Sequence, residues 1–142
     1  MGEAMYLVLN YIYLKKTIQD TELVTTEERE IKKSPQKGKI RYLCKKCKTL
    51  ITWSTYKINV KDKFIHVCAN PHGIIFEIGC FSYAQNYVPV DSPTLEFTWF
   101  PGYAWQIILC ANCLTHLGWL YLSDKDHFWG LILKNLIEDK RL

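Results

Sequence analysis

After residue 40 the chain alternates between apolar and polar positions over short runs, and most of these runs read as strands. Thr49–Val60 (TLITWSTYKINV) is rich in β-branched and aromatic residues, which suit a pleated, half-buried surface. KFIHVCA alternates, meets the turn signal NPHG at Asn70–Gly73, and is followed by IIFEIGCFSY as a returning strand. The two arms predict a hairpin whose turn is longer than the tightest two-residue type. LEFTW and AWQIILC flank Pro101-Gly102 as a second pair, and HLGWLYLS is a further strand. Only FWGLILKNLIED has helical spacing, with Phe128, Leu131, Leu133 and Leu136 partly on one side, which predicts a short C-terminal helix or turn. The expected fold class is all-β.

Residues 1–39 have a different texture. The text from Thr17 to Lys39 is rich in Glu, Thr and Lys and ends in KKSPQKGK, a polar, loop-like tract. A boundary near Ile40 divides the chain into an N-terminal extension, 1–39, and a domain, 40–142. Met5–Leu14 (MYLVLNYIYL) resembles a short signal-type apolar run. No basic residue precedes it, however, Asn10 interrupts it and Lys15-Lys16 follow it. It reads equally well as an amphipathic strand or helix docked on the domain. No stretch reaches the ~18 apolar residues of a membrane span. The compartment stays open between cytoplasmic and secreted.

Composition adds two constraints. With 142 residues, 49% hydrophobic and 14% aromatic, the chain has enough apolar surface for one core, so global disorder is excluded. The net charge of +4 is unevenly placed: Glu27 to Lys48 holds nine Lys/Arg against three Glu, and the remainder is −2. That basic stretch reads as a solvated linker leading into a cysteine knuckle. No basic face interleaved with aromatics follows it, so nucleic acid is not expected as a partner.

Four of the six cysteines form two CxxC units, Cys44/Cys47 and Cys110/Cys113. Two residues between cysteines let both thiolates of a tight turn face one ion, and two such knuckles complete a closed tetrahedral four-cysteine site of the structural zinc type. The 62 residues between the pairs make the inserted segment a substantial piece of fold whose ends the metal clamps. The lysines beside the first pair would favour thiolate formation. Two disulfides are the alternative use of the four thiols. Cys68 and Cys80 lie on opposite arms of the NPHG hairpin. They read as small buried apolar residues, or as a cross-hairpin disulfide if the chain is exported.

The segment EFTWFPGYAWQ (Glu96–Gln106) spends five large aromatics on one Pro-Gly bend. Phe97 and Trp99 are two apart and in a strand would share a face. Trp105 lies across the bend, and Trp119 and Tyr121 follow the second knuckle. Three indole walls beside a metal clamp would form a rigid aromatic cage suited to a compact ring or a cation. Core packing is the plainer use of the same rings.

The order CKKC, NPHG, EFTWFPGYAW, CANCLTHLGW and FWGL resembles the CULT domain, the thalidomide-binding region of cereblon, over about residues 40–135. The resemblance implies a β-tent, two antiparallel sheets pinned at the apex by zinc on four cysteines. It also implies a cage of three tryptophans, matched by Trp99, Trp105 and Trp119, that holds cyclic imides or uracil- and uridine-like rings. Asn70, Pro71 and His72 would border the pocket mouth, and Glu96 would be another rim residue. Tyr121 stands where the family has a Phe; it would lie with Phe97 at the pocket's floor or edge and would add a hydroxyl at the rim. Phe97 stands where the family has a His that hydrogen-bonds the imide. About 40 residues precede the matched region, too few for cereblon's Lon-like and adaptor-docking parts. The expectation is therefore a stand-alone CULT protein, a monomer with a small-molecule ligand and without ubiquitin-ligase adaptor binding.

Methionine-sulfoxide reductases share the zinc-pinned β-tent and offer an enzymatic alternative. Their Arg-x-Cys-x-Asn motif is missing: neither Cys68 (HVCAN) nor Cys80 (IGCFS) has an Arg two residues before it. His66, His72, His116 and His127 stand in no obvious Cys-His or Ser-His-Asp context, and no catalytic residue is assigned. A zinc module that binds protein or nucleic acid through the basic arm is the third reading.

Overall fold

The computed structural model describes residues 39–141. The signal-like segment and most of the basic tract lie outside the described residues. Among the described residues nine strands form two antiparallel sheets. β1 (Arg41–Cys44), β2 (Leu50–Trp53) and β9 (Leu136–Asp139) make a three-stranded sheet in the order β2-β1-β9. β3 (Ile65–Ala69), β4 (Ile75–Phe81), β5 (Tyr87–Thr94), β6 (Ala104–Cys110), β7 (His116–Leu122) and β8 (His127–Ile132) make a six-stranded sheet in the order β3-β4-β8-β7-β6-β5. No helix among the described residues is long and apolar enough to cross a membrane.

The large sheet is covered on both faces. Phe128 and Trp129 are neighbours in β8 and so point to opposite sides, and each is buried in a different cluster. One cluster is shared by the two sheets: Tyr42, Ile51 and Leu136 of the small sheet meet Phe81, Ile108 and Leu131 of the large one. The other cluster, on the far face, is covered by the aromatic bend. There Phe100, 1% exposed, packs edge-on against Tyr121 and Phe128 at 4.8 and 5.1 Å between ring centroids.

Burial on both faces explains the main departure from the sequence reading. FWGLILKNLIED is not helical. It runs through β8, a single 3₁₀ turn (Leu133–Asn135) and β9. A central strand with two buried faces is a nearly continuous apolar run, and such a run does not alternate. The NPHG hairpin forms as expected, with Val67 opposite Glu77 in an unbroken register. Asn70 closes its turn: Oδ1 accepts the N–H groups of His72 and Ile74 at 3.0 and 2.9 Å. Thr49–Val60 is a strand only over β2, after which a 3₁₀ turn (Ser54–Tyr56) ends the pairing.

LEFTW is not a strand either. The chain there turns at Glu96-Phe97, and the strand that pairs with β6 is β5, just before it. β5 carries Pro89 and Pro93, and it is an edge strand, where a missing N–H donor costs least. Phe97, with φ +54°, therefore does not share a strand face with Trp99.

Gly118 sets the spacing between β7 and β8. Its φ is +148°, and a Cβ there would lie 2.0 Å from the Gly130 carbonyl oxygen. Only glycine lets the two strands approach this closely, and the next residue, Trp119, is delivered to the aromatic face.

Candidate functional site

The two CxxC turns are built alike. In each, the first cysteine ends a strand, β1 for Cys44 and β6 for Cys110. In each, the N–H of the residue after the second cysteine donates to the carbonyl of the first, Lys48 to Cys44 and Leu114 to Cys110, both at 2.8 Å. In each, the N–H of the first cysteine donates to a threonine carbonyl five residues on, Cys44 to Thr49 and Cys110 to Thr115, both at 2.8 Å. Lys48 and Leu114 both take positive φ, 65° and 63°, which closes the turn. One knuckle belongs to the small sheet and the other to the large sheet.

The two knuckles bring four sulfurs together. Cys44 Sγ lies 3.6 Å from Cys113 Sγ, and Cys47 Sγ lies 3.5 Å from Cys110 Sγ. All four are within 4.8 Å of one another. A tetrahedral ion with ~2.3 Å metal–sulfur bonds needs sulfurs about 3.8 Å apart, so the set fits one metal ion. The closest pairs are far longer than a disulfide of ~2.05 Å, and the four thiols are free. The cluster therefore ties the two sheets at their junction.

Hydrogen bonds lower the pKa of two of these thiols. The Thr49 hydroxyl, with the Asn112 amide after it, holds Cys47 down to about 5. Thr115 likewise holds Cys113 below the ordinary thiol value. Burial pushes Cys110 up to about 11. The lysines beside Cys44 and Cys47 do not figure among the causes for Cys47. The sequence reading missed Thr49 and Thr115. The signal was there: CKKCKT and CANCLT are one CxxCxT pattern written twice.

Two asparagines lace the knuckles together and were also missed. Asn135 accepts the Lys45 N–H at 2.9 Å on its main-chain carbonyl, and its Nδ2 donates to the His116 carbonyl at 2.8 Å. Asn86 accepts the Ala111 N–H at 2.9 Å on its carbonyl, and its Nδ2 donates to the Leu50 carbonyl at 2.8 Å. Nothing in the spacing of either residue marked it.

On the far face of the large sheet, Trp99 and Trp119 meet at 4.9 Å between centroids and 74° between planes. Phe76, from the hairpin, stands edge-on to Trp119 at 5.1 Å and lies 6.0 Å from Trp99. His116 is edge-on to Trp119 at 4.8 Å, and its Nε2 is 3.1 Å from the Gly118 carbonyl. Burial lowers its pKa below the usual imidazole value. Trp105 is opposite Tyr121 across β6–β7, and Ile107 is opposite Trp119. Trp105 and Trp119 are therefore diagonal neighbours on one face. Both outer indoles are tied to main chain: Trp99 Nε1 donates to the Ala69 carbonyl at 3.0 Å, and Trp105 Nε1 to the Glu96 carbonyl at 2.7 Å.

The remaining residues expected at this site divide. Asn70 follows Ala69 directly, so the hairpin tip is joined to Trp99, but its side-chain oxygen is occupied within its own turn. Pro71 and His72 are exposed at that tip. Glu96 contributes its carbonyl to Trp105. Phe97 is 73% exposed. Tyr121 is not at a rim: it is 1% exposed and stacked on Phe128 at 4.9 Å and 17°. Its hydroxyl is therefore not offered to solvent.

Cys68 and Cys80 do not resemble catalytic thiols. Burial raises both, Cys80 to about 12, whereas a thiol nucleophile needs a depressed pKa. Nor does a bond between them fit the register. Cys68 faces Phe76, and Cys80 lies four residues further along β4, about 13 Å at ~3.3 Å per residue. That exceeds the span of a disulfide.

No family model matches the chain. Among curated proteins it is similar to protein cereblon of Danio rerio, 33% identical over 101 residues, covering 66% of this chain and 23% of that protein. It is 40% identical to protein cereblon of Gallus gallus over 73 residues, 48% of this chain and 16% of that protein. The match to protein cereblon of Drosophila melanogaster is 29% over 127 residues, 82% of this chain and 21% of that protein. The chain thus spans about a fifth of the length of these relatives. With the two-sheet fold and the four-cysteine cluster, these matches identify the chain as a cereblon relative that carries a CULT domain.

Proposed function

We propose that the domain is a zinc-stabilised receptor for a small cyclic imide or uracil-like ring, which lodges against Trp99, Trp105 and Trp119. One observation carries this reading: the Trp99 and Trp105 indole N–H groups are both consumed by main-chain carbonyls. The rings are thereby held in place and offer only their faces. The diagonal between Trp105 and Trp119 spans roughly 7–8 Å between backbone positions. That is about twice the 3.5–4.0 Å contact distance of a flat ring on an indole. With Tyr121 and Phe100 sealing the floor, the ligand's N–H and C=O would pair with main-chain groups of residues 97–99, next to the half-buried Asn70 and the exposed Phe97, Glu96 and Pro71.

The ion in this reading is zinc, held by Cys44, Cys47, Cys110 and Cys113. A closed four-thiolate site supplies folding energy rather than an open position for chemistry. The raised thiols of Cys68 and Cys80 favour a binding domain over an enzyme of the reductase kind. Titration of the zinc-loaded protein with glutarimide, succinimide and uridine, followed by tryptophan emission, tests the reading. Saturable quenching or a blue shift is expected. Unchanged emission with all three, and no heat on mixing, would contradict it.

A further inference from the structure

Of the four clustered sulfurs, two are deeply buried and two are not. Cys44 and Cys110 are both 0% exposed, whereas Cys47 and Cys113 are only partly buried. A threonine hydroxyl stands beside each of the two more accessible sulfurs. Thr49 Oγ1 lies 3.1 Å from Cys47 Sγ, and Thr115 Oγ1 lies 3.1 Å from Cys113 Sγ. A thiolate bound to a metal has no hydrogen to give, so in the loaded site each hydroxyl is the donor. Each outer sulfur thus has one threonine hydroxyl beside it, in two turns built with the same backbone hydrogen bonds and a positive-φ residue at the same place.

We propose that Thr49 and Thr115 are the positioning residues of the metal centre: their hydroxyls orient the two outer thiolates and shield them from chelators and electrophiles. The inference rests on the zinc reading above. The physical ground is that a hydrogen bond to a charged acceptor is stronger than a neutral one. It lowers the electron density a thiolate can offer to an attacking reagent, and it fixes the lone pair that faces the ion. Such outer partners typically govern metal affinity by about 10–100-fold. The buried sulfurs, Cys44 and Cys110, need no such cover because protein already excludes solvent from them.

The test uses the full chain, loaded with zinc, as the parent and as Thr49→Val, Thr115→Val, the double Val variant and the matching Ser variants. Zinc content is measured first, then the rate and extent of zinc transfer to a chromophoric chelator. Iodoacetamide labelling follows, read at each cysteine by peptide mass. Each Val variant is expected to start with one zinc, to bind it about 10-fold more weakly or worse, and to be alkylated faster at its own partner cysteine. The Ser variants are expected to stay close to the parent. Val variants that hold zinc like the parent would overturn the proposal. Ser variants that fail as Val variants do would also overturn it, because the methyl group and not the hydroxyl would then matter. A parent that carries no zinc would overturn the zinc reading itself, and this inference with it.

Discussion

Asn135 Nδ2 donates to the His116 carbonyl oxygen over 2.8 Å, across the junction between the two sheets. Asn135 lies in the 3₁₀ turn between β8 and β9, where the chain leaves the large sheet for the small one. Its own carbonyl receives the Lys45 N–H of the first knuckle, while His116 opens β7 directly after the second knuckle. One residue thus fixes both halves of the metal site. Asn135→Ala removes the side-chain bond and leaves a half-buried carbonyl short of a partner, at a cost of about 1–2 kcal/mol. A urea titration of the zinc-loaded variant should show a lower midpoint with an unchanged slope.

Removing the metal should cost far more. The sulfur cluster joins the sheets, and metal-free thiols at this spacing repel one another once ionised. Chelation is expected to lower stability by more than ~5 kcal/mol, in line with structural zinc sites in general. It should also abolish the near-ultraviolet circular dichroism of the buried aromatic residues. Recovery on adding zinc would confirm the linkage, and a chelator-treated protein with parental dichroism would refute it.

What was legible in the sequence depended on how local the signal was. The CxxC pairs were readable because ligand geometry fixes their spacing, and the NPHG hairpin because turn residues and alternation agree. Thr49 and Thr115 were readable in principle, since their offset from the cysteines is the same in both knuckles. Asn86 and Asn135 were not, because their partners lie far away in the chain and an isolated asparagine carries no spacing signal. β5 hid behind Pro89 and Pro93, which an edge strand tolerates. β8 passed for a helix because burial of both faces erased its period. That the Tyr121 hydroxyl is buried rather than at a rim was not readable, because its position in β7 says which face it uses but not that Phe100 packs on it.

Gly118 should tolerate no side chain. In Gly118→Ala the added methyl would strike the main chain of β8 rather than a movable side chain. A loss of about 3 kcal/mol or more is expected, or a fall of more than ~10 °C in Tm for a domain of this size. Differential scanning calorimetry measures it, and a Tm within ~2 °C of the parent would contradict the strand spacing described.

The Tyr103–Asp126 pair gives a pH signature. Tyr103 OH donates to Asp126 Oδ1 at 2.6 Å. This bond leads the causes that lower the Asp126 pKa and raise that of Tyr103. The depressed carboxylate contributes stability above the ordinary Asp range, and that contribution is lost as pH falls through the folded value. The raised phenol contributes below ~10, and its share is lost as pH rises through its folded value. The difference in urea midpoint between the parent and Tyr103→Phe should therefore be full near pH 7 and shrink above pH ~10. A difference independent of pH, or no difference at all, would contradict a coupled role for this bond.

Phe97 is exposed and holds φ +54°. A His there keeps a ring and supplies a donor at the ligand's edge. Phe97→His is expected to strengthen imide binding by ~1 kcal/mol, roughly five-fold in Kd, with uridine affected less. Calorimetric titration of both ligands into both proteins decides this, and equal affinities would show that position 97 does not touch the ring.

The central claim is that Trp99, Trp105 and Trp119 bind a small imide or uracil-like ring. Trp105 tests it with least risk to the core: it is only partly buried, whereas Trp119 is 7% exposed. The decisive measurement is calorimetric titration of glutarimide into zinc-loaded parent and Trp105→Ala, each first shown to hold one zinc and to unfold cooperatively. Binding to the parent should saturate with a Kd between about 1 μM and 1 mM, as suits so small a ligand, and the variant should lose at least about ten-fold in affinity. Equal binding to both proteins, or none to the parent, would contradict the claim and leave the tryptophans as core.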